Sequence, residues 1–502
     1  MNEAHIDAAR VNAGTGDSGL GKSGSRGTGA AAASVVAEPA PPVTGEPFAP
    51  LPALSGVRSI LRYRGRPLLR LEHARAASEH ATAFEVLGDR FLVLFDPKAV
   101  EQVLVTQHAA FQKDRFTKEL RRILGTGLLT SEGEEWRRSR KLMASSFQPN
   151  EIAAYGGIMA ERAREFVVTR RAGEVFDVHS SMMHLTLDIL VRALFGMEVK
   201  QAKEVEGLLA PFVDDYRPGS LAWRLVPEWV PLPSRRRLAR TRRELDVILD
   251  SLIAERRQQQ SSAEQQRSGE QASQSADLLG RLMLARDVAG SLSEVALRDE
   301  AMTLFLAGHE TTALALTYAL RLLALHPSEA RVARAEIASV LGERLPTMQD
   351  VPRLVRIRAA LDESLRLYPP VWGMAREPKE DVVISGVLVP KGVHVVVCPW
   401  VMHHDARFFN APERFQPSRW IDQPSPPRFA YLPFGAGPRV CIGSHFALAE
   451  AVLVLATILQ HVELELLPEP ALELVPSVTL RPRGPVPMRF WPRAAPSVAR
   501  RD

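Results

Sequence analysis

Two stretches of this chain set reactive side chains into backbone that can serve them. The first is Phe434-Gly-Ala-Gly437-Pro-Arg439-Val-Cys441-Ile-Gly443, which places one of only two cysteines in 502 residues in a glycine-rich loop before an apolar helical pattern. A cysteine at a helix N-terminus meets the positive end of the helix dipole and unpaired N–H groups, which lower its pKa and favour the thiolate. Glycines in the loop let the backbone turn tightly and approach a flat ligand closely, and Arg439 adds a cation two residues before the sulfur. The second stretch is Ala307-Gly308-His309-Glu310-Thr311-Thr312, inside the longest helical pattern. There a glycine costs about 1 kcal/mol against alanine, an acid in a dry interior is expensive, and threonines can bond back to the preceding turn. Two further pairs carry charge. Glu363 and Arg366 are spaced i, i+3 on one helix face. Trp136 and Arg140, spaced i, i+4, set an indole N–H beside a guanidinium, which suits a carboxylate. Taken singly, each has a plainer reading: an inert buried cysteine, a helix packed on its small residues with Glu310 reaching solvent, an exposed ion pair worth little, a half-buried tryptophan.

The elements that must position these groups are legible in outline. Ser291 to Leu325 reads as a helix on the order of 50 Å long. It opens on a capping-box spacing, Ser291-Leu-Ser-Glu294, stops before His326-Pro327, and is apolar nearly all round after Ala301, hence buried. Helix spacing turns His309 away from the Ala307–Thr311 face and makes it a bystander. Glu85 to Asp96 reads as a β-hairpin with a Gly-Asp turn, and a strand pattern returns from Asp381 to Val401, with turns at Gly386 and Lys391-Gly392. Gly14 to Pro42 is rich in Gly, Ala, Ser and Pro and reads as a disordered leader, which we bound at 1–47; 492–502 reads as a flexible tail. Gln258 to Ser275, dense in Gln, Ser and Glu, reads as a mobile surface loop.

The cysteine loop matches Phe-x-x-Gly-x-Arg-x-Cys-x-Gly at every fixed position and resembles the haem-ligand loop of the cytochrome P-450 family. The resemblance extends from about Phe48 to Trp491 and rests on five motifs in the expected order. It implies one domain over 48–491, mainly α with a smaller β-rich lobe (α+β), around a buried haem b. Cys441 is then the axial ligand of the iron. Trp136, Arg140, Arg376 and Arg439 hold haem propionates, and Phe434 and Gly443 belong to the cofactor loop. Gly308 opens a groove over the iron, Ala307 leaves room for substrate, Thr311 hydrogen-bonds dioxygen and Glu310 feeds protons toward it. Glu363, Arg366 and Arg419, the last within Phe415-Gln-Pro417-Ser-Arg419, form a structural network behind the haem; Arg414 lies nearby but at the wrong spacing. The reaction implied is insertion of one oxygen atom from O₂ into an apolar fatty acid, terpenoid, steroid or polyketide, with electrons from a separate NAD(P)H-linked ferredoxin or flavodoxin. Arg137, Arg138 and Lys141, pointing outward on the thiolate side, would attract that acidic partner. A peroxide-driven enzyme and a haem-binding sensor without turnover are the alternatives; Glu310 and Thr311 together speak against both.

Composition narrows the rest. There are 63 basic and 58 acidic side chains, a formal charge of +5, and 46% hydrophobic residues, enough for a large core. The basic runs lie in helical patterns without interleaved aromatics, so nucleic-acid binding is excluded. With Cys441 on a metal, Cys398 is left unpaired and no disulfide framework exists, which favours a reducing, cytoplasmic setting. No apolar run of about 18 residues marks a membrane span, and we expect a soluble, bacterial-type monomer. Pro218 to Pro233, with Trp223 and Trp229, is apolar; the family resemblance implies that it roofs the substrate channel, and it could also touch a membrane surface.

Overall fold

The computed structural model describes residues 46–51, 54–63, 66–196, 230, 232–266, 278–284, 286–287, 290–468 and 471–493. The architecture is mainly helical with a β-rich lobe. Five strands, Ala81–Val86 (β1), Asp89–Leu94 (β2), Phe111–Lys113 (β3), Met374–Pro378 (β4) and His394–Val397 (β5), form one sheet in the order β1-β2-β5-β4-β3. Only β2 and β5 run parallel. The first hairpin turns at Leu87-Gly88, not at Gly88-Asp89, since Val86 pairs with Asp89. Both turn residues have positive φ, 52° and 81°, the two-residue geometry whose twist matches the flanking strands. Glu46–Pro47 pairs with Val387–Leu388 and Pro492 pairs with Val462, so the fold reaches slightly past both expected edges.

Eight helices carry the argument: Gly133–Ala144 (α1), Gly156–Val168 (α2), Val178–Phe195 (α3), Pro233–Gln266 (α4), Glu294–Leu325 (α5), Pro327–Leu341 (α6), Val355–Leu367 (α7) and Ser444–His461 (α8). The expected surface loop from Gln258 is a continuation of α4 as far as Gln266. Gln, Ala and Glu are good helix formers, and a preformed helix needs no apolar residue to propagate one more turn or two. Capping of α5 is by Ser293, whose Oγ accepts the Ala296 N–H at 3.1 Å, while Ser291 ends a short strand pair. The chain breaks at His326 because Pro327 has no N–H to donate, and Pro327 then opens α6 at its first position, where none is needed.

The main core gathers α3, α5, α7 and α8, with α5 lying along α3 and touching α7 and α8; a second apolar cluster underlies the sheet. Among the described residues α8 alone is long and apolar enough to cross a membrane, and 67% of it is buried here as a core helix. The site residues lie where α5 and the loop before α8 meet this frame.

Candidate functional site

The cysteine loop is shaped by its own backbone. Cys441 N–H donates to the Phe434 carbonyl at 3.0 Å and Val440 N–H to that of Gly437 at 3.0 Å, which folds the loop back on itself. Gly437 sits at φ 69°, and a Cβ there would run into the Leu104 carbonyl. Gly443 is the residue that caps α8, and its N–H points at the cysteine sulfur. Cys441 is solvent-accessible yet densely surrounded, as a sulfur on the wall of an internal cleft is. Burial pushes its pKa up, and the Gly443 N–H and nearby Arg140 only partly oppose this. The helix terminus alone therefore does not make the thiolate expected from the sequence. A cation bonded to the sulfur, as coordination to a metal provides, would favour its charged form.

Around the loop stands an excess of buried and half-buried positive charge. The Arg439 guanidinium lies 4.0 Å over the Trp136 ring and bonds the Glu132 carboxylate at 2.6 Å and the Ser131 carbonyl at 2.9 Å. Arg140 Nη1 donates to the Val440 carbonyl at 2.8 Å. Arg376, on β4, pairs in register with Lys113 on β3, and both are buried. Burial lowers the pKa of all four cations, Arg439 to about 10 and Lys113 well below the ordinary lysine value. Arg376 and Arg439 lower Lys113 further, while Glu132 and Asp114 oppose the shift. Asp114 is already engaged by Thr117 and His394. Two buried and two half-buried cations against two carboxylates leave a site that an anion with two acid groups would neutralise. Haem, with its two propionates and an iron for the sulfur, fits this donor set.

Between Ala301 and Leu320, helix α5 is buried except for one stripe and half-buried Leu306 beside it. Leu304, Gly308 and Thr311 are half-buried and Ala307 is exposed, at the i, i+3, i+4, i+7 positions of a single face, while His309, Glu310 and Thr312 to Leu320 are buried. An accessible stripe on an otherwise packed helix marks a cleft wall. Thr311 Oγ1 donates back to the Ala307 carbonyl at 2.9 Å and Thr312 Oγ1 to that of Gly308 at 3.2 Å. The missing side chain of Gly308 also serves packing. A Cβ there would stand 2.7 Å from Leu190 Cδ1, so this glycine lets α3 approach α5. His309 faces inward, its Nδ1 2.7 Å from the Phe305 carbonyl and its own carbonyl bonded by Thr186. Glu310 is clamped by a hairpin of Leu474–Pro476 (β6) and Leu480–Pro482 (β7): the Thr479 hydroxyl and Arg481 Nε, the latter at 2.6 Å, both bond its Oε1. Burial would raise its pKa, but Arg481 and Thr479 outweigh burial and hold it below the usual carboxylate value.

Behind the loop, Glu363 gathers five donors. Arg366 gives two at 2.9 Å, Arg419 one at 3.0 Å, Trp420 Nε1 one at 2.9 Å and the Gln416 N–H one at 3.0 Å. Arg366 spends its remaining N–H groups on the carbonyls of His403, Pro412 and Arg414. The structure thus brings Glu363, Arg366 and Arg419 together and leaves only the backbone of Arg414 in the network.

Of the three basic residues expected to face a partner, Arg137 and Lys141 are exposed, but Arg138 is half-buried and donates to the Gly290 carbonyl at 3.1 Å. The roof at 218–233 falls mostly outside the described residues, as do the leader before Glu46, the stretch 267–275 and the tail after Arg493. Sequence reasoning missed Lys113, Thr479 and Arg481. Lys113 carried a faint signal, since in Phe111-Gln-Lys113 it shares the inward register of a buried phenylalanine; Thr479 and Arg481 carried none.

Comparison with known proteins gives the family. The sequence model of the cytochrome P-450 family matches residues 50–486. A Mycobacterium tuberculosis protein designated cytochrome P-450 132 is 33% identical over 430 residues, covering 82% of this chain and 89% of its own. Two Streptomyces melanosporofaciens proteins are similarly close: cyclooctat-9-en-7-ol 5-monooxygenase, 33% identical with 84% and 91% covered, and cyclooctatin synthase, 32% identical with 79% and 85% covered. With the family match spanning the helical core, the sheet lobe and the cysteine loop alike, this chain belongs to the cytochrome P-450 family.

Proposed function

We propose that this member of the P-450 monooxygenases uses Cys441 as the thiolate ligand of haem b and oxygenates an apolar small molecule. The observation that carries the reading is the accessible sulfur of Cys441 at the N-terminus of α8, set among Lys113, Arg140, Arg376 and Arg439. Lys113, Arg376, Arg439 and the Trp136–Arg140 pair would hold the propionates. Phe434 and Gly443 supply the backbone groups that fix the sulfur. When bound, haem supplies activation of dioxygen, aided by electron density from the thiolate. The chain's own residues do the rest. Leu304, Ala307 and Thr311 form an apolar wall with one hydroxyl, which binds substrate and excludes water. Thr311 can re-aim its O–H from the Ala307 carbonyl toward the cleft. Glu310, held ionised by Arg481 and Thr479, is a proton acceptor that must be protonated before it can pass a proton on.

An apolar substrate is supported by that wall and by the relative named for cyclooctat-9-en-7-ol, an unsaturated alcohol by its name. We further propose that electrons arrive from a separate NAD(P)H-linked ferredoxin or flavodoxin docking near exposed Arg137 and Lys141, and that the enzyme works in the cytoplasm. The deciding experiment is the carbon monoxide difference spectrum of the reduced protein, followed by a spin-state screen with neutral apolar ligands. A thiolate-type Soret band, lost in Cys441→Ala, is expected. A Cys441→Ala protein with an unchanged band would overturn the reading.

A further inference from the structure

The loop from Gly125 to Ser131 is strapped to α5 just before the accessible stripe. Thr126 N–H donates to Asp299 Oδ2 at 2.7 Å, and Leu128 N–H donates to Glu300 Oε2 at 2.8 Å. Gly127 lies so close to α5 that a Cβ would run into the Thr303 hydroxyl. Thr303 stands one helical turn before Ala307, so the loop borders the reacting face. Arg242 of α4 joins the same knot, with Nη2 on Asp299 Oδ1 at 3.0 Å and Nη1 on the Ile123 carbonyl at 2.7 Å. At its far end the segment offers the Ser131 carbonyl and the Glu132 carboxylate to Arg439.

The two carboxylates of the knot are unequal. Asp299 has the Arg242 guanidinium. Glu300, 1% exposed, has no hydrogen-bonded cation among the described residues, and its Oε1 accepts nothing. The groups that face it are the Leu128 amide, Ser139 and Glu135 from α1, and Asp299 beside it, with Arg242 and Asp246 of α4 beyond Asp299. Burial is the largest influence and, helped by Asp299 and Glu135 against Leu128 and Ser139, brings its carboxyl to about 7.

We propose that Glu300 is a positioning residue whose neutral carboxyl latches the 125–131 loop over the reacting face of α5 and whose ionised form releases it. The direction follows from linkage. In the latched form the carboxyl titrates near 7, and once the loop lifts and water reaches it the value falls toward the ordinary 4.5. The released form therefore binds fewer protons, and release is favoured as pH rises through the interval between those values and just above. Ligand entry to the site speeds up accordingly. The inference rests on the monooxygenase reading only for what enters.

Two measurements test it. In the holoenzyme, the rate at which an N-alkyl-1,2,4-triazole shifts the Soret band is followed by stopped flow. The rate should rise about threefold to tenfold between about pH 6 and about pH 8. Glu300→Gln keeps an acceptor for Leu128 N–H but cannot ionise, and should be slow and flat with pH; Glu300→Ala should be fast and flat. A Glu300→Gln enzyme with the wild-type slope, or a wild type without one, overturns the latch. Independently, hydrogen-exchange protection of the Thr126 and Leu128 amides in the wild-type protein, corrected for intrinsic rates, should fall by a similar factor over the same range. Constant protection overturns the latch whatever the ligand does. This measurement needs neither turnover nor a thiolate spectrum, so it judges the latch even if the haem reading fails.

Discussion

Glu363 shows how much one carboxylate can hold. Its five donors include two arginines that are buried almost completely, and removing their shared partner leaves charge uncompensated in the interior. Glu363→Ala should cost about 3–5 kcal/mol, read as a lowered unfolding midpoint and reduced haem content. Burial pushes the Glu363 pKa up, but Arg366, Gln416 and Arg419 more than offset it, so the folded value lies below the ordinary 4.5 of a glutamate. Its contribution is therefore complete above that pH and lost as pH falls through the folded value. Denaturation midpoints measured against pH should fall less steeply on the acid side in Glu363→Gln than in wild type. Lys113 behaves in the opposite sense. It is a buried cation whose burial and cationic neighbours oppose its charge, so Lys113→Met should stabilise the haem-free protein. The same change should weaken haem retention by about 1.5–3 kcal/mol, the worth of a charged hydrogen bond, measured by haem transfer to an apoglobin acceptor. A variant that lost stability without haem would contradict this.

At the scale of elements, the cysteine loop and α5 depend on local backbone conditions that single substitutions can probe. Gly437→Ala must strain a left-handed residue and drive a methyl into the Leu104 carbonyl. The conformational part alone is about 1–2 kcal/mol, so the purified variant should carry markedly less haem than wild type. Ser293→Ala removes the cap of α5 and should cost about 1 kcal/mol in equilibrium unfolding. These features were largely legible in the sequence, because a glycine-rich loop, a helix cap and a proline stop are written within a few neighbouring residues. The cap itself was misplaced by two residues, since Ser291 and Ser293 offer the same chemistry and only the strand pair at Gly290–Ser291 chooses between them. What could not be read was contact across the chain. Glu310 and Arg481 are 171 residues apart, and nothing near either names the other. The packing of Gly308 against Leu190, on a different helix, was hidden for the same reason. Burial of Cys441, which reverses the effect of the helix terminus on its pKa, is likewise a property of the assembled core.

For the molecule as a whole, the unequal surface around α1 sets how a partner would be met. Arg137 and Lys141 remain at the surface while Arg138 is drawn inward to Gly290. Steering by such exposed charges is screened over about 8–10 Å at physiological salt. Turnover driven by an acidic ferredoxin should fall with ionic strength, and Arg137→Glu with Lys141→Glu should flatten that dependence while leaving the carbon monoxide spectrum intact. A steep salt dependence surviving in the double variant would place the docking surface elsewhere. The hairpin of β6 and β7 has a consequence for truncation. Glu310 is neutralised by Thr479 and Arg481, Tyr318 spends its hydroxyl on the Leu480 carbonyl, and Trp372 its indole N–H on Ser477. A chain cut before Ser477 would lack every one of these partners, so its central helix should pack incompletely and unfold at lower denaturant than the whole chain.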